Sequence, residues 1–241
     1  MPLQAVETRR LYRQIADQLR ALIAAGEYAP GSRLPPERDL ALQLAVSRPS
    51  VREALIALEV EGLVEVRMGS GIYVNPPSAT RGAAADVDDV LGPFDIIRAR
   101  ALIEAELAAM AAQHHTPALL KRLRAAIRAM EDDSARGVMP IRGDRDFHLA
   151  LAEASGNAAL LRVVTELFDE RNNPLFEQLG RHFENQRSWR AAVAEHRGVL
   201  RAVAAGEVAA ARKAMRQHLQ NSHDRFAAAL EEPALAASKA A

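Results

Sequence analysis

Four residues in the C-terminal part of the chain have types and spacings that suit a metal centre. Asp144 and His148 are four residues apart, so both side chains point from one face of a single helix, a common geometry for two metal ligands. His196 and His218 each interrupt an apolar helical stripe that should face a bundle interior, where an unpaired polar ring is costly. Three inward imidazoles and one carboxylate can satisfy each other by binding a divalent cation. From the spacing alone, however, the favoured interpretation is that these are buried histidines bonded to backbone carbonyls.

These residues lie in a segment, 93–230, that the sequence predicts to be an all-α bundle. Its alanine- and leucine-rich patterns predict about six helices. The breaks between them fall near Thr116-Pro117, Gly137 to Pro140, Gly156-Asn157, Gly180 to Arg187 and Gly206. Residues 76–92 are predicted to be a linker and residues 231–241 a disordered tail, to which we assign no role.

The segment from Leu34 to Val74 predicts a second kind of domain. A short helix before Leu44 and a turn at Ala45-Val46-Ser47 lead into a second helix, which Ser47 can cap. Two β-favouring segments then follow, joined by Gly69-Ser70-Gly71. The fold expected is therefore mainly α, with a winged helix-turn-helix and a small β-hairpin wing in residues 1–75, followed by the helical bundle.

The polar side of the second helix predicts contact with DNA. Arg48 and Arg52 share a face near its N-terminus, the end that enters the major groove, where an arginine fork can bond both guanine acceptors. Serines and backbone N–H groups hold phosphates. The full set of predicted contacts is Arg38, Ser47, Arg48, Ser50, Arg52, Arg67 and Gly69. The alternative is that these arginines are solvated surface residues.

The charge of this domain predicts that it does not act alone. Residues 1–75 contain nine arginines and nine acidic residues, so they carry no net positive charge with which to hold DNA. A symmetric dimer presents two recognition helices to two half-sites about one helical turn apart, which multiplies the affinity. We therefore expect a homodimer and a palindromic operator.

Composition narrows the class of protein further. The chain has 241 residues, no cysteine and a formal net charge of zero, so thiolate metal sites, disulfides and non-specific coating of nucleic acid are not expected. The sequence has no apolar run of about 18 residues and no signal-peptide pattern, which predicts a cytoplasmic protein without a membrane partner.

The residues of the N-terminal part resemble those of GntR-type regulators. The resemblance is carried by Leu34-Pro35-Pro36-Glu37-Arg38, Val46-Ser47-Arg48, Val51-Arg52-Glu53-Ala54-Leu55 and Gly62-Leu63-Val64. It implies that Arg38, Arg48 and Arg52 contact the operator and that Gly69, at the wing tip, enters the minor groove. Many members have serine where this chain has Pro36, so the usual cap of the first helix is missing.

The C-terminal part resembles the effector domain of the FadR subfamily, called FCD. The motifs are Asp144-Arg145-Asp146-Phe147-His148, Glu153-Ala154-Ser155-Gly156-Asn157, Glu195-His196-Arg197 and Met215-Arg216-Gln217-His218-Leu219. In that family the aspartate and the three histidines hold zinc, nickel or manganese beneath a small-molecule cavity. The resemblance thus favours metal binding by Asp144, His148, His196 and His218 over the structural alternative.

A metal with open positions can grip a carboxylate, and nearby arginines would complete the recognition. Arg100 and Arg171 lie on apolar stripes and are candidate effector contacts; the alternatives are a pair between Arg100 and Glu104 and a surface pair between Arg171 and Glu170. Glu170-Arg171-Asn172-Asn173-Pro174-Leu175, together with Pro93-Phe94-Asp95 and Arg98 to Glu104, also resembles repressors of hexuronate catabolism, which implies a sugar-acid effector. The full set of candidate effector contacts is Arg100, Glu104, Arg171 and Asn172.

The expected function is a repressor whose DNA binding is relieved by a small carboxylate. The runner-up effectors are lactate, a dicarboxylate or an amino acid. A metal-dependent hydrolase is a second class, because such a centre can activate water, yet no catalytic signature accompanies the ligands and we predict no enzyme. A nucleoid-type structural binder is a third class, which would show little sequence preference.

Overall fold

The computed structural model describes residues 10–76 and 90–228. These residues form two compact units: an N-terminal unit that ends at Gly92, and a C-terminal unit, Pro93–Phe226. The fold is mainly helical, as predicted, with a two-stranded hairpin in the first unit. Most of the predicted linker, residues 77–89, and all of the predicted disordered tail lie outside the described residues.

The N-terminal unit is a winged helix-turn-helix preceded by one more helix. Its elements are α1 (Leu11–Ala24), α2 (Glu37–Leu44), α3 (Arg48–Val60), β1 (Val64–Arg67) and β2 (Gly71–Val74). Helix α1 was not among the predicted elements. Its buried face, which includes Ile15 and Leu19, packs on α3, whose Val51, Leu55 and Leu58 are fully enclosed. The α1 helix therefore completes the core on which the second helix rests.

The turn between α2 and α3 follows the prediction closely. Ala45 ends α2 in the left-handed region with φ of 53°, which reverses the chain within a few residues. The Ser47 hydroxyl then accepts a hydrogen bond from the Ser50 backbone N–H at 3.3 Å. Pro49 stands in the first turn of α3, where its missing N–H costs nothing. This sharp turn fixes the N-terminus of α3 at the surface.

The wing is an antiparallel hairpin with Val64 opposite Val74 and Arg67 opposite Gly71. Gly69 has φ of 73° in the connecting turn, a conformation that glycine adopts without strain. An isolated bridge joins Arg33 to Tyr73, and Leu34 donates its N–H to Ile72 at 2.8 Å. The edge of β2 that does not pair with β1 is thus hydrogen-bonded to the segment just before α2.

The C-terminal unit contains seven helices within the described residues. They are α4 (Pro93–Gln113), α5 (Pro117–Ala135), α6 (Ile141–Ala154), α7 (Ala158–Asp169), α8 (Pro174–Phe183), α9 (Gln186–Ala204) and α10 (Val208–Ala227). Their main core contains Leu123, Phe147, Val199 and Met215, all buried. None of the described helices combines the length and apolarity needed to cross a membrane.

The structure has one helix more than the six predicted for this unit, because the break between α7 and α8 was not predicted. Asn173 accepts a hydrogen bond from the Phe176 N–H at 2.9 Å, and its own amide donates to the Glu170 carbonyl. Pro174 disfavours a helical conformation for the residue before it. Helix α7 therefore ends at Asp169 and α8 begins at Pro174, which leaves Arg171 and Asn172 between the two helices.

Helices α5 and α6 approach unusually closely at Gly143. A Cβ at this position would lie 2.7 Å from the Ala126 carbonyl oxygen and 2.9 Å from the Met130 backbone nitrogen. A Cβ atom so close to backbone atoms would clash with them, so only glycine fits at this position. The contact positions the next residue, Asp144, against the interior of the bundle.

Candidate metal centre and nucleic-acid interface

The four predicted metal ligands meet in the interior of the C-terminal unit. Asp144 and His148 come from α6, His196 from α9 and His218 from α10. One ligand atom from each lies within 4.8 Å of those of the other three. The three histidines are buried and Asp144 is partly buried. Residues separated by up to 74 positions in the sequence thus form one cluster, as their types and spacing predicted.

The Nδ1 atom of each imidazole contacts a hydrogen-bond partner outside the cluster. His148 Nδ1 contacts Glu104 Oε2, His196 Nδ1 lies 2.7 Å from the Ala192 carbonyl oxygen, and His218 Nδ1 lies 2.7 Å from Glu195 Oε2. All three partners are acceptors, so the hydrogen-bond network assigns a proton to each Nδ1. The Nε2 lone pairs of neutral rings are then left for the centre of the cluster, the arrangement seen around metal-bound histidines.

The distances between these donor atoms fit one first-row metal ion. His148 Nε2 and His196 Nε2 are 3.1 Å apart, and Asp144 Oδ1 lies 3.1 Å from His196 Nε2 and 3.6 Å from His148 Nε2. Neighbouring ligands at about 2.0–2.2 Å from an ion stand roughly 2.9–3.7 Å apart. Two facing Nε2 lone pairs repel each other unless a cation lies between them. The donor set therefore suits zinc, nickel or manganese without distinguishing among them.

The ionisation of the cluster also suits a cation. Burial and the neighbouring His196 lower the pKa of His218 to about 3, so this ring is neutral at pH 7. Burial opposes ionisation of Asp144, but Arg171 and the neighbouring His148 and His196 hold its pKa well below the usual value. For His148, burial is outweighed by the Glu104 charge, and its pKa is raised.

Asp144 connects the cluster to an arginine. Its Oδ2 atom accepts a hydrogen bond from Arg171 Nη1 at 2.6 Å, while Oδ1 faces the histidines. The predicted alternative, a surface pair between Arg171 and Glu170, is not the pair that forms. Arg171 instead stacks near the rings of Phe168 and Phe176, at 5.3 and 5.5 Å from their centroids. The break before α8 allows this inward turn.

A cavity of about 50 Å³, enough for a few water molecules, adjoins the cluster. Asp144, His218, Arg171 and Arg100 are among the residues that line it. Arg100 is 3 % exposed, and its Nη2 atom has no hydrogen-bond partner among the described residues. This unsatisfied, buried cationic donor beside a metal-type cluster is suited to an anionic ligand.

Arg100 also forms the ion pair with Glu104 that the sequence analysis gave as an alternative. The Arg100 Nε atom lies 2.6 Å from Glu104 Oε1, and the guanidinium stands 3.9 Å from the Phe168 ring centroid. Burial raises the pKa of Glu104, but Arg100 and His148 more than offset this and bring it to about 2. Glu104 therefore bridges an arginine of the cavity to a histidine of the cluster.

The structure places two of the four predicted effector contacts, Arg100 and Arg171, at the cavity. Glu104 lies behind Arg100, and Asn172 is exposed and is not part of the lining. The predicted contacts did not include several other lining residues, namely Glu184, Trp189, Ser222 and Arg225. Trp189 carried a signal, because it lies seven residues before His196 on the same helical stripe. For Glu184 and Arg225 the sequence offers no such signal.

The predicted DNA contacts lie in the N-terminal unit, and most of them are accessible. Arg38, Ser47, Arg48, Arg67 and Gly69 are exposed, and Ser50 is partly buried beside Ser47. Arg48 and Ser47 stand at the start of α3, and Arg67 and Gly69 at the tip of the wing. A helix N-terminus and a wing that present arginines and small residues can hold phosphates and read bases.

Arg52 differs from the other predicted contacts because its side chain is only 1 % exposed. Its guanidinium binds Glu37 Oε2 through Nη2 at 2.5 Å and through Nε at 3.0 Å. Glu37 Oε1 accepts in addition from Arg48 Nε at 3.0 Å. Burial lowers the pKa of Arg52, and the Glu37 charge opposes this. In this geometry the exposed Arg48 bonds Glu37 through Nε and can turn the rest of its guanidinium toward a base edge, whereas the buried Arg52 would first have to leave Glu37.

The two units match two known domain families. Residues 11–74 match the family described as bacterial regulatory proteins, gntR family, and residues 95–221 match the FCD domain. The second match alone covers more than half of the chain. Both matches agree with the winged helix of the first unit and the helical cluster-bearing bundle of the second.

Relatives along nearly the whole chain are named as regulators rather than enzymes. The Uxu operon transcriptional regulator of Escherichia coli (strain K12) is 38% identical over 92% of this chain and 89% of its own. Another protein of that strain, named for regulating an L-lactate dehydrogenase operon, is 35% identical over 89% of this chain and 86% of its own. The solved structure of E. coli McbR/YncC shares the fold, with a TM-score of 0.50 at 22% identity over 90% of this chain and 97% of that one. The chain therefore belongs to the GntR family of DNA-binding transcriptional regulators, and its C-terminal unit is an FCD domain.

Proposed function

We propose that a small carboxylate, bound beside a divalent metal ion in the FCD domain, controls the affinity of this regulator for its operator. The observation that carries the proposal is the bond between Arg171 and Asp144, at the border of the histidine cluster and the cavity. One carboxylate oxygen faces the proposed metal position and the other holds an arginine that lines the cavity. A ligand in the cavity would thus meet the metal and the cationic side chains together.

The residues of this site have separate tasks in the proposal. Asp144, His148, His196 and His218 would hold the ion, and Glu104, Glu195 and the Ala192 carbonyl would keep the three rings oriented. A bound divalent ion supplies a Lewis-acidic position for carboxylate and hydroxyl oxygens. Arg171 and the unsatisfied Nη2 of Arg100 would donate to the same carboxylate.

A sugar acid of the hexuronate type is the effector that we propose. The resemblance of the segment around Arg171 to repressors of hexuronate catabolism supports it, and so does the relative named for the uxu operon. The relative named for an L-lactate dehydrogenase operon favours lactate as a second candidate. Both ligands offer a carboxylate with an oxygen on the adjacent carbon, the ring oxygen of a cyclic uronate or the hydroxyl of lactate, so the metal and the arginines would bind them in the same way.

We further propose that the protein acts in the cytoplasm as a homodimeric repressor on a palindromic operator, with residues 1–75 and 93–230 as its two domains and 76–92 as the linker. Because residues 1–75 have no net positive charge, binding would depend on joining two copies. Effector binding would change the spacing of the two recognition helices. Typical couplings of this kind amount to about 1–3 kcal/mol, or roughly 5- to 150-fold in affinity.

The test uses full-length protein loaded with zinc, nickel or manganese and the DNA upstream of neighbouring catabolic genes. Operator affinity is measured with and without D-glucuronate, D-galacturonate, D-fructuronate and L-lactate. We expect at least one sugar acid to weaken operator binding within the range above, with protection of two symmetric half-sites. Unchanged affinity in the presence of a ligand that binds tightly would overturn the proposal.

The metal part of the proposal has its own measurement. Metal content is determined for the wild type, for His196→Ala and His218→Ala, and for His114→Ala as a matched control outside the cluster. We expect loss of the ion in the first two variants only. Retention of stoichiometric metal in both would show that the cluster is a structural histidine network.

A further inference from the structure

The cavity beside the metal-type cluster contains one carboxylate that differs from its neighbours. Three other carboxylates in or next to the lining each bond an arginine: Asp144 with Arg171, Glu104 with Arg100, and Glu195 with Arg225. Glu184 also lines the cavity, but its Oε2 atom accepts a hydrogen bond from the neutral indole of Trp189, at 3.3 Å. Among the described residues, no donor bonds its Oε1 atom.

The position of Glu184 leaves this free oxygen available to a ligand. The residue follows the last turn of α8 and is partly buried, and its backbone N–H bonds the Gly180 carbonyl at 2.8 Å. Trp189, on α9, holds the other carboxylate oxygen. Since Glu184 directly follows α8 and Trp189 lies on α9, the hydrogen bond between them orients the acceptor before any ligand arrives, which favours a specific hydrogen bond.

The charges around the cavity add a constraint on the ligand. The three arginines contribute three positive charges, and Asp144, Glu104, Glu184 and Glu195 contribute four negative ones. With the divalent ion of the proposed function, one positive charge remains. A ligand with a single carboxylate would neutralise it. A ligand with two carboxylates would leave an excess negative charge in a partly buried site, which is unfavourable.

We infer that Glu184 is a specificity-determining residue that accepts hydrogen bonds from effector hydroxyls and excludes a second carboxylate. The inference rests on the proposed function and deepens it, because it selects polyhydroxylated monocarboxylates from among small acids. Trp189 supports the same chemistry, since its indole offers an apolar ring next to the acceptor, and the C–H bonds of a sugar can pack against such a ring. Like-charge repulsion acts here as the element that rejects the wrong ligand.

The experiment compares two ligands that differ at one end of the carbon chain. D-Glucuronate has one carboxylate, and D-glucarate has the same chain oxidised to a carboxylate at both ends. Dissociation constants are measured by calorimetry with metal-loaded, full-length protein. We expect the wild type to bind D-glucuronate at least about tenfold more tightly than D-glucarate. We expect Glu184→Gln, which is neutral and nearly isosteric, to remove most of that preference.

Two further variants separate charge from structure. Glu184→Asp keeps the negative charge and should keep the preference, with weaker binding of both ligands. Glu177→Gln removes an exposed carboxylate from the same helix and should behave like the wild type. A role of Glu184 in folding alone would affect the Asp and Gln variants without changing the ratio of the two affinities.

The outcomes distinguish this inference from the proposal beneath it. Tight binding of D-glucuronate with an unchanged ratio in Glu184→Gln would overturn the role of Glu184 and leave the proposed effector class intact. A wild type that binds D-glucarate more tightly than D-glucuronate would likewise overturn the role of Glu184. Failure of the metal-loaded wild type to bind D-glucuronate, D-galacturonate, D-fructuronate, L-lactate or D-glucarate would overturn both. If Glu184→Gln does not fold, loss of the preference in Glu184→Asp would also overturn the role of charge.

Discussion

Arg52 and Glu37 form a buried ion pair that joins the two helices of the helix-turn-helix, with Arg52 Nη2 2.5 Å from Glu37 Oε2. The same carboxylate holds the exposed Arg48 through its other oxygen. Glu37 is the first residue of α2, where a negative charge also interacts favourably with the helix dipole. One acidic residue thus fixes the angle between α2 and α3 and orients a candidate base contact.

Glu37→Gln should destabilise the N-terminal unit. The substitution leaves the Arg52 guanidinium buried without its counter-charge, and such breaks typically cost about 3–5 kcal/mol. Urea unfolding followed by circular dichroism measures the change. Asp39→Asn is the matched control, because Asp39 pairs with Arg38 at the surface and such pairs contribute about 0–1 kcal/mol. Equal effects of the two substitutions would contradict the role given to Glu37.

Arg48→Ala should weaken operator binding more than binding to random DNA. An arginine that reads a base contributes about 1–3 kcal/mol of discrimination, whereas a phosphate contact weakens all sequences alike. Fluorescence anisotropy at fixed salt with both DNAs measures the ratio. Arg128→Ala removes the same charge from an exposed position on α5 and should leave the ratio unchanged. Equal losses of affinity for operator and random DNA would show that Arg48 contacts a phosphate and not a base.

The C-terminal unit should lose stability as the pH falls from about 4.5 to about 2. The pKa of Glu104 is about 2 in the folded protein, below its usual value of 4.5. The unfolded chain therefore binds more protons in this window. The stabilisation is fully present above the unfolded pKa and disappears as the pH falls through the folded one. A shift of this size corresponds to about 3 kcal/mol.

Glu104→Gln tests this assignment with metal-free protein in the presence of a chelator. The variant should be less stable at pH 7 and should show a shallower loss of stability between pH 4.5 and 2. Glu106→Gln is the control, since Glu106 pairs with Arg212 at the surface. If Glu106→Gln flattened the acid profile as much as Glu104→Gln, the buried ion pair would not be its source.

Asn173→Ala should affect both stability and ligand binding. It removes the cap of α8, which costs about 0.5–2 kcal/mol, and it loosens the break that turns Arg171 toward Asp144. Asn157→Ala removes the corresponding cap of α7 at an exposed site, with hydrogen bonds of 3.0 and 3.3 Å. We expect similar losses in urea unfolding. Weaker binding of D-glucuronate is expected for Asn173→Ala alone.

The sequence predicted those parts of the molecule that depend on local pattern. The turn from Ala45 to Ser47, the glycine turn of the wing and the helical spacing of Asp144 and His148 are all short-range features, and each is present. The inward positions of His196 and His218 were also predictable, because an apolar stripe with period 3.6 identifies the buried face of a helix.

The sequence did not predict features that depend on which elements meet in three dimensions. Arg52 shares its helical face with Arg48, but its burial depends on Glu37, fifteen residues earlier and on another helix. Glu184 reaches the cavity only because α8 restarts at Pro174 and brings its last turn beside Trp189. The break itself had a sequence signal, since Asn173 is followed by Pro174 and this dipeptide is typical of a helix start, but it was not used in the prediction.

The close contact at Gly143 has a consequence for how a signal can leave the ligand site. Because the backbones of α5 and α6 touch there, a sliding motion between the two helices would bring main-chain atoms into collision. The two helices must then act as a stationary frame that carries Asp144 and His148. The part of the cavity wall where Arg171 and Glu184 flank the short helix α8 is not held by this contact. We therefore expect a larger ligand to displace α8 relative to α5 and α6.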